Sequence, residues 1–413
     1  PVFITKPLIR KQNFSTFVCL KDPIYPLLGP NLWGLRNSGL WQPNKGFSKI
    51  IYNILHFFVA VFVLTQYIEL WLIRSNLDMA LRNLSYSIII TICVVKAGTF
   101  ISWQKYWKEV FENVTLIEKK QQGKHDDETK KIIAKYTEYS RIVTYLYWCL
   151  VIATIFAIVL APLVIYLSSH KLREEIRNGT AAYPDILSSW APFDKTRGFG
   201  YWVLFGVHTF ICSFGGGIVA NYDTSAVVLM TFFAGQFEVL KSNCEKLFGN
   251  GQEYINYDEV IRRIRDCHEH HVQLIKYSKI LNSLLSPVLF LYIISSSLMI
   301  CSSAIQLTKV LFVLPIQSSL LLSISSFKKE KYEEISFKEI FNIPFQSLKV
   351  DEGVYSSAWW SQDVRVRRCV VLLAGQLNRR VVFTAGPFTE LSVATFITML
   401  KGSYSYYTLL SKK

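Results

Sequence analysis

Seven stretches of this chain, near residues 50–73, 80–101, 141–167, 200–233, 280–303, 309–327 and 387–411, are apolar over long runs. Most come close to or exceed the roughly 20 residues that a helix needs to cross a bilayer. Lipid offers no partners to backbone amides, so runs of this length and number restrict the chain to membrane-spanning helices. The composition agrees: hydrophobic residues make up 51% of the 413 and charged residues only 18%, more apolar surface than one soluble core can hide. The expected fold is all-α and polytopic with seven transmembrane helices. It divides into an N-terminal segment (1–49), six spans with their loops (50–327), a segment with a helix (328–386) and a last span (387–413). The first of these holds "PLLGPNLWGLRNSGLWQP", Pro- and Trp-rich and amphiphilic, suited to lying at the membrane interface rather than crossing it. The chain opens on Pro1, which reads as a processed or incomplete terminus.

A net charge of +15 raises the possibility of nucleic acid, but its placement argues for a membrane orientation instead. With residues 1–49 in the cytosol, 32 Lys and Arg fall in the inner segments and 9 in the outer ones. The positive-inside rule therefore selects a cytosolic N-terminus and an extracellular C-terminus, with residence at the plasma membrane. No nucleic-acid partner is expected. The sequon at Asn178 lies in the expected outer loop, 168–199, and is the candidate glycosylation site.

The eight cysteines are scattered and none falls in that outer loop, so buried free thiols are expected rather than a disulfide framework. The inner loops look helical. Val260, Ile264, Cys267, His271 and Leu274 recur at three- and four-residue steps, one face of a helix that continues into the fifth span. Several spans should therefore extend into a cytosolic helical bundle. Gly386-Pro387 fits the first turn of a new helix, giving a cytosolic helix, a break and a final span.

Chemistry of the catalytic kind has little to work with. "HEHH" at 268–271 puts His268 and His271 on one helical face but misses the H-E-x-x-H spacing, and the other histidines stand alone. No nucleophile elbow, phosphate loop or intramembrane aspartate pair occurs, so no enzyme, catalytic residue, metal or cofactor is expected. The glycines in "SFGGGIVANYD", 213–223, suit close helix packing.

Aromatic and weakly polar residues do collect in the outer halves of the runs: Tyr86, Tyr166, Trp202, Phe205, His208 and Phe312. A pocket among them would take a small, mostly apolar ligand held by shape, ring contacts and one or two hydrogen bonds. A ligand of about ten heavy atoms at roughly 0.5–0.8 kcal/mol each reaches about 5–8 kcal/mol, high-micromolar to micromolar binding. The competing reading of each residue is ordinary packing or an interfacial aromatic belt. The last run carries Ser403, Ser405, Thr408 and, just before them, Lys401, groups that a span turns toward protein or water.

An ordered set of motifs resembles one family. "GLWQP" (39–43), "AGQFEVLKSNCEKL" (234–247), "CHEHHVQLIKYSKILN" (267–282), "VYSSAWW" (354–360) and "AGPFTELSVATFITMLKGSYSYYTLL" (385–410) are similar to insect odorant receptors of the ligand-tuning class, and the likeness covers nearly the whole chain. The resemblance implies a subunit of a ligand-gated, non-selective cation channel. It implies a heterotetramer with a shared odorant-receptor coreceptor, gated by a small volatile ligand in the outer halves of spans two, three, four and six, with the surrounding membrane lipid as the other partner. It also implies that the last span lines the pore. Aligning the last motif and the C-terminus places Ser405 on that pore, a hydrophobic gate near Leu409, and Lys412 and Lys413 at its outer mouth. Residues 323–349, with "SFKKEKYEEISFKEIFNIPFQSLK", depart from the family pattern as an insertion or a mis-spliced segment.

Two alternatives share the spans. A gustatory-receptor-like channel is a near neighbour, and a G-protein-coupled receptor also has seven. Against the latter stand the cytosolic N-terminus, the missing "DRY" and "NPxxY" motifs and the lack of cysteine in the outer loop.

Overall fold

The computed structural model describes residues 25–123, 126–194, 198–249, 256–311, 347–387, 389–391, 395, 397, 398, 401, 402 and 405. The described chain is helical almost throughout. In order come α1 (Gly29–Asn37), α2 (Phe47–Leu72), α3 (Leu77–Ser102), α4 (Gln104–Gln122), α5 (Asp127–Ser168), α6 (His170–Arg177), α7 (Gly198–Glu245) and α8 (Tyr257–Leu311). After residues outside the described set follow α9 (Val350–Ser356), a 3-10 turn (Trp359–Ser361), α10 (Val364–Leu377) and two short strands, β1 (Thr384–Ala385) and β2 (Thr389–Glu390).

Five helices, α2, α3, α5, α7 and α8, are long and apolar enough to cross a membrane. Three of them are far longer than a bilayer is thick. At about 1.5 Å per residue, 42, 48 and 55 residues reach roughly 60–80 Å, twice the hydrocarbon core. Burial shows where each leaves the lipid. The apolar face of α5 is open at Leu146, Leu150, Phe156, Leu160 and Leu163, as a lipid-facing helix requires, whereas Val228 to Leu240 of α7 is buried at nearly every position. This is an all-α, polytopic membrane protein with a packed helical bundle beyond its spans.

Pro162 and Pro287 sit inside α5 and α8, which a soluble helix rarely tolerates. Inside a membrane the competing coil has no water to satisfy it, so the helix persists. Starts are set by side-chain caps. Asp126 caps α5, accepting from Glu128 N at 3.4 Å and Thr129 Oγ1 at 2.5 Å, and Ser169 accepts from Leu172 N to open α6.

The bundle is cross-tied by a buried glutamine pair. Gln121 Nε2 donates to Gln236 Oε1 at 2.6 Å and Gln236 Nε2 returns the bond to Gln121 Oε1 at 2.9 Å. Tyr136 and His270 add contacts from α5 and α8 at 3.2 and 3.0 Å. A Cβ on Gly235 would collide with the Tyr136 ring, so "AGQF" is a site of close approach between α5 and α7. The face read from Val260, Cys267, His271 and Leu274 is buried as expected, with Ile264 packed beside it.

Residues 27–35 pack into protein: Leu27, Leu28, Leu32 and Leu35 are buried in the main core, and Asn221 Nδ2 donates to Gly34 O at 3.0 Å. Beyond the fifth run, helix α8 continues to Leu311 through Lys309. One expectation is corrected here. Gly386-Pro387 does not open a helix. Gly386 takes φ 67° in the turn between β1 and β2, a backbone state open to glycine and closed to most L-residues.

Candidate functional site

Phe62 of α2, Ile90 of α3 and Ile211 of α7 form a second apolar cluster, separate from the main core, closed by Ile186 and Leu187 of the loop after α6. Tyr86 and Phe205 pack against it. His208 reaches it from α7, its ring 5.6 Å edge-on from Phe62.

The loop is fastened there by polar contacts. The Leu187 amide donates to His208 Nδ1 at 3.4 Å, and His208 Nε2 and Ser189 Oγ are paired at 2.9 Å. Asn83 Nδ2 donates to Ser188 O at 3.1 Å and Trp190 N to Thr65 O at 3.2 Å. An imidazole with partners on both nitrogens has its one donor and one acceptor spent, so His208 acts as a clamp that holds the loop against α7 at an otherwise apolar wall.

A second feature adjoins it. Tyr166 stacks toward Tyr183 (6.0 Å between ring centroids), Tyr183 toward Tyr201 (5.0 Å), and Tyr201 toward both Trp202 (5.5 Å) and Phe205 (6.1 Å). The structure thus brings Tyr166, Trp202 and Phe205 into one aromatic chain, and Tyr86, Phe205 and His208 into or against one apolar cluster. Trp202 is 67% exposed and faces away from the packed interior. Phe312 lies outside the described residues.

Sequence reasoning passed over Tyr183, Tyr201, Ser189 and the Ile186–Leu187 pair. Tyr201 stands one helical turn before Phe205 and carried a usable signal. The others sit in an irregular loop with no periodicity to reveal them.

Beneath this region lies a polar joint that was also missed. Lys96 Nζ of α3 donates to both carboxylate oxygens of Asp223 of α7, at 2.7 and 2.8 Å. Tyr147 of α5 and Tyr292 of α8 donate to Asp223 Oδ2 at 3.0 and 2.9 Å, and Lys96 also contacts the Tyr292 hydroxyl. Four long helices therefore meet at one carboxylate. The signal was present as charges within apolar runs, residues a membrane helix keeps only with partners.

From there α8 leads to the turn that precedes the last segment. Asn282 Oδ1 accepts from Thr384 N at 2.8 Å, and Ser286 Oγ and O accept from Gly386 N at 2.9 and 3.1 Å. In the last segment itself, Ser405 Oγ donates to Lys401 O at 3.0 Å, while Leu409, Lys412 and Lys413 lie outside the described residues. Asn178 is exposed at the C-terminal end of α6, open to modification. Among the described residues no group of His, Cys, Asp and Glu is arranged to hold a metal ion.

The family profile "7tm Odorant receptor" matches residues 76–321 and 342–404. Among curated proteins, the chain is 27% identical over 158 residues to odorant receptor Or2 of Anopheles gambiae, covering 36% of this chain and 39% of that one. It is 24% identical over 201 residues to odorant receptor 13a of Drosophila melanogaster, covering 46% and 47%. The aligned stretches thus span about half or less of these relatives' own lengths. Among solved structures it superposes on olfactory receptor OR5 of Machilis hrabei in complex with eugenol, with a TM-score of 0.73 over 94% of this chain and 98% of that one, at 16% identity. At that identity the likeness concerns the fold. With the profile covering most of the chain, the protein belongs to the insect 7tm odorant receptor family.

Proposed function

We propose that this chain is the odorant-binding subunit of a ligand-gated, non-selective cation channel that works as a heteromer with a shared coreceptor. The observation that carries the reading is the outer cluster in which His208, fastened to Leu187 and Ser189, sits among apolar residues of α2, α3, α7 and the loop. A small, mostly apolar volatile would be held there by ring contacts from Tyr86, Phe205 and the face of the His208 ring. Eugenol, which the Machilis receptor holds, is a ligand of the class intended. The orientation that fits is N-terminus inside and C-terminus outside, with seven spans and the last lining the pore.

Gating follows from what the ligand must displace. Entry into the cluster competes with the packing of Ile186 and Leu187, and α7 and α8 carry any shift inward to the Asp223 joint and the β1–β2 turn before the last segment. The decisive experiment is current recording in cells expressing this chain with and without the coreceptor, with small tags at both ends. Odorant-evoked cation current only in the co-expressing cells, with the C-terminal tag alone accessible outside, supports the reading. Evoked current that requires a G protein, or an accessible N-terminal tag, overturns it.

A further inference from the structure

The buried stripe of α2 ends in a polar side chain. Val59, Phe62, Val63 and Gln66 recur at three- and four-residue steps, and they are the buried residues of this helix. The first three belong to the outer apolar cluster, with Ile90, Ile211 and the Ile186–Leu187 pair. Gln66 continues the same face one turn further on. The loop reaches that turn, since Trp190 N donates to Thr65 O at 3.2 Å.

A primary amide in such a place asks for partners, because it carries two N–H donors and a carbonyl acceptor. Gln66 is 0% exposed, yet neither Nε2 nor Oε1 has a hydrogen-bond partner in the protein. The other buried polar side chains about the loop are committed elsewhere. Asn83 Oδ1 accepts from Ser87 Oγ at 2.8 Å and Asn83 Nδ2 donates to Ser188 O at 3.1 Å, while His208 is spent on Leu187 N and Ser189. An amide sealed from water without a partner is costly, so it marks a place where a partner arrives.

We propose that Gln66 is the polar anchor of the outer site and gives it a preference for volatile alcohols. A hydroxyl both donates and accepts, so it can give its proton to Oε1 or take one from Nε2. A carbonyl engages Nε2 alone, and a hydrocarbon engages neither. The apolar remainder of the alcohol lies against Phe62 and Ile211. Discrimination of this kind is steep, because a ligand without the group leaves the buried amide unpaired, whereas the right one relieves it. The inference rests on the reading of the outer cluster as the ligand site and adds the group that selects among ligands.

The test records dose–response curves in cells co-expressing the coreceptor. The probes are volatile alcohols, each matched with its aldehyde and with the hydrocarbon in which a methyl replaces the hydroxyl: benzyl alcohol, benzaldehyde and ethylbenzene; hexanol, hexanal and heptane; octanol, octanal and nonane. In the wild type the alcohol of an active set should act at a concentration roughly tenfold or more below its hydrocarbon, with the aldehyde between them. Gln66→Leu and Gln66→Met, which nearly keep the volume, should erase that ratio while the melting temperature of the purified chain holds or rises. A ratio retained in both variants, a wild type that prefers the hydrocarbons or aldehydes, or silence toward every alcohol would overturn the proposal. So would a lower melting temperature in both variants with all responses reduced alike, which would make Gln66 a packing residue. His208→Phe separates this failure from failure of the site. Curves shifted by His208→Phe and not by the Gln66 variants would leave the cluster as the site without Gln66 as its anchor; curves shifted by none of them would remove the cluster itself.

Discussion

Lys96 and Asp223, 127 residues apart in sequence, meet in a salt bridge of 2.7 Å, with the lysine side chain fully buried and the aspartate side chain 20% exposed. The rings of Tyr222 and Tyr292 flank the ammonium at 5.5 and 4.2 Å. Removing one partner strands the other in a low-dielectric interior, at a cost of about 3–5 kcal/mol, whereas removing both is far milder. Lys96→Met and Asp223→Asn should each lower the melting temperature and surface expression sharply. The double variant Lys96→Met with Asp223→Leu should recover much of the loss. Additive losses in this double-mutant cycle would show that the two residues act separately.

The part of the fold that depends on periodicity was legible. Five of the seven expected spans, the Val260–Leu274 face and the burial of Cys93, Cys244 and Cys267 follow from apolar spacing, because burial on one side of a helix repeats every three or four residues; Cys149, exposed on the open face of α5, corrects the expectation of buried thiols. The candidate pocket was legible only where it is helical. Phe205 and His208 both lie on α7 at the second apolar cluster, but the loop that fastens His208 folds through single contacts, Leu187 N and Ser189 Oγ, that leave no pattern in sequence. The Lys96–Asp223 joint failed for another reason. Each charge looked like a local exception, and only three-dimensional packing joins α3 to α7. Gly386-Pro387 misled because proline suits both a first helical turn and a tight reverse turn, and the choice is made by the contacts of Gly386 to Ser286.

His208 gives a sharper test of the outer site than its neighbours. His208→Phe keeps an aromatic ring against Phe62 but removes the acceptor for Leu187 N and the partner of Ser189. An unmade buried hydrogen bond costs about 1–3 kcal/mol, so the half-maximal odorant concentration should move by roughly tenfold or more with surface expression retained. Trp202→Ala, at an exposed ring, should move it little. Dose–response curves in which Trp202→Ala shifts more than His208→Phe would place the pocket elsewhere.

Two buried groups outside the spans should tilt stability with pH in opposite directions. Burial, with help from the charge of Arg379 and from His268, lowers His271 from 6.5 to about 4. Between these values the unfolded chain binds the extra proton, so the fold loses stability as pH falls below 6.5. Glu118 is raised from 4.5 to about 7, chiefly by burial, against the Leu27 amide and the charge of Arg141. Here the folded form holds the proton, so the penalty grows as pH rises from 4.5 to about 7 and is full above it. Melting curves of the detergent-solubilised protein should therefore show His271→Gln gaining on the wild type at pH 5 and not at pH 7.5. Glu118→Gln should gain at pH 7.5, by about 1–3 kcal/mol, and lose that advantage toward pH 4.5. Parallel pH profiles for either variant and the wild type would remove that group from the account.

The turn before the last segment offers a single-atom probe of how α8 and that segment are joined. Gly386 adopts φ 67°, and a Cβ there would meet the Phe290 ring at 2.8 Å and Phe290 Cβ at 3.2 Å. Gly386→Ala therefore adds backbone strain of about 1–2 kcal/mol to a clash that cannot be relieved by a flexible side-chain tip. Phe290 lies on the same helix as Tyr292, two residues from the joint that holds Asp223, so the clash at the turn should also be felt at that joint. Gly386→Ala should alter basal or evoked current in the coreceptor complex, and Gly386→Ala with Phe290→Ala should restore it toward wild type by making room for the methyl. Unchanged gating in the single variant at normal surface expression would mean that the turn yields to the methyl without moving α8, and would cut the proposed link between the outer site and the last segment.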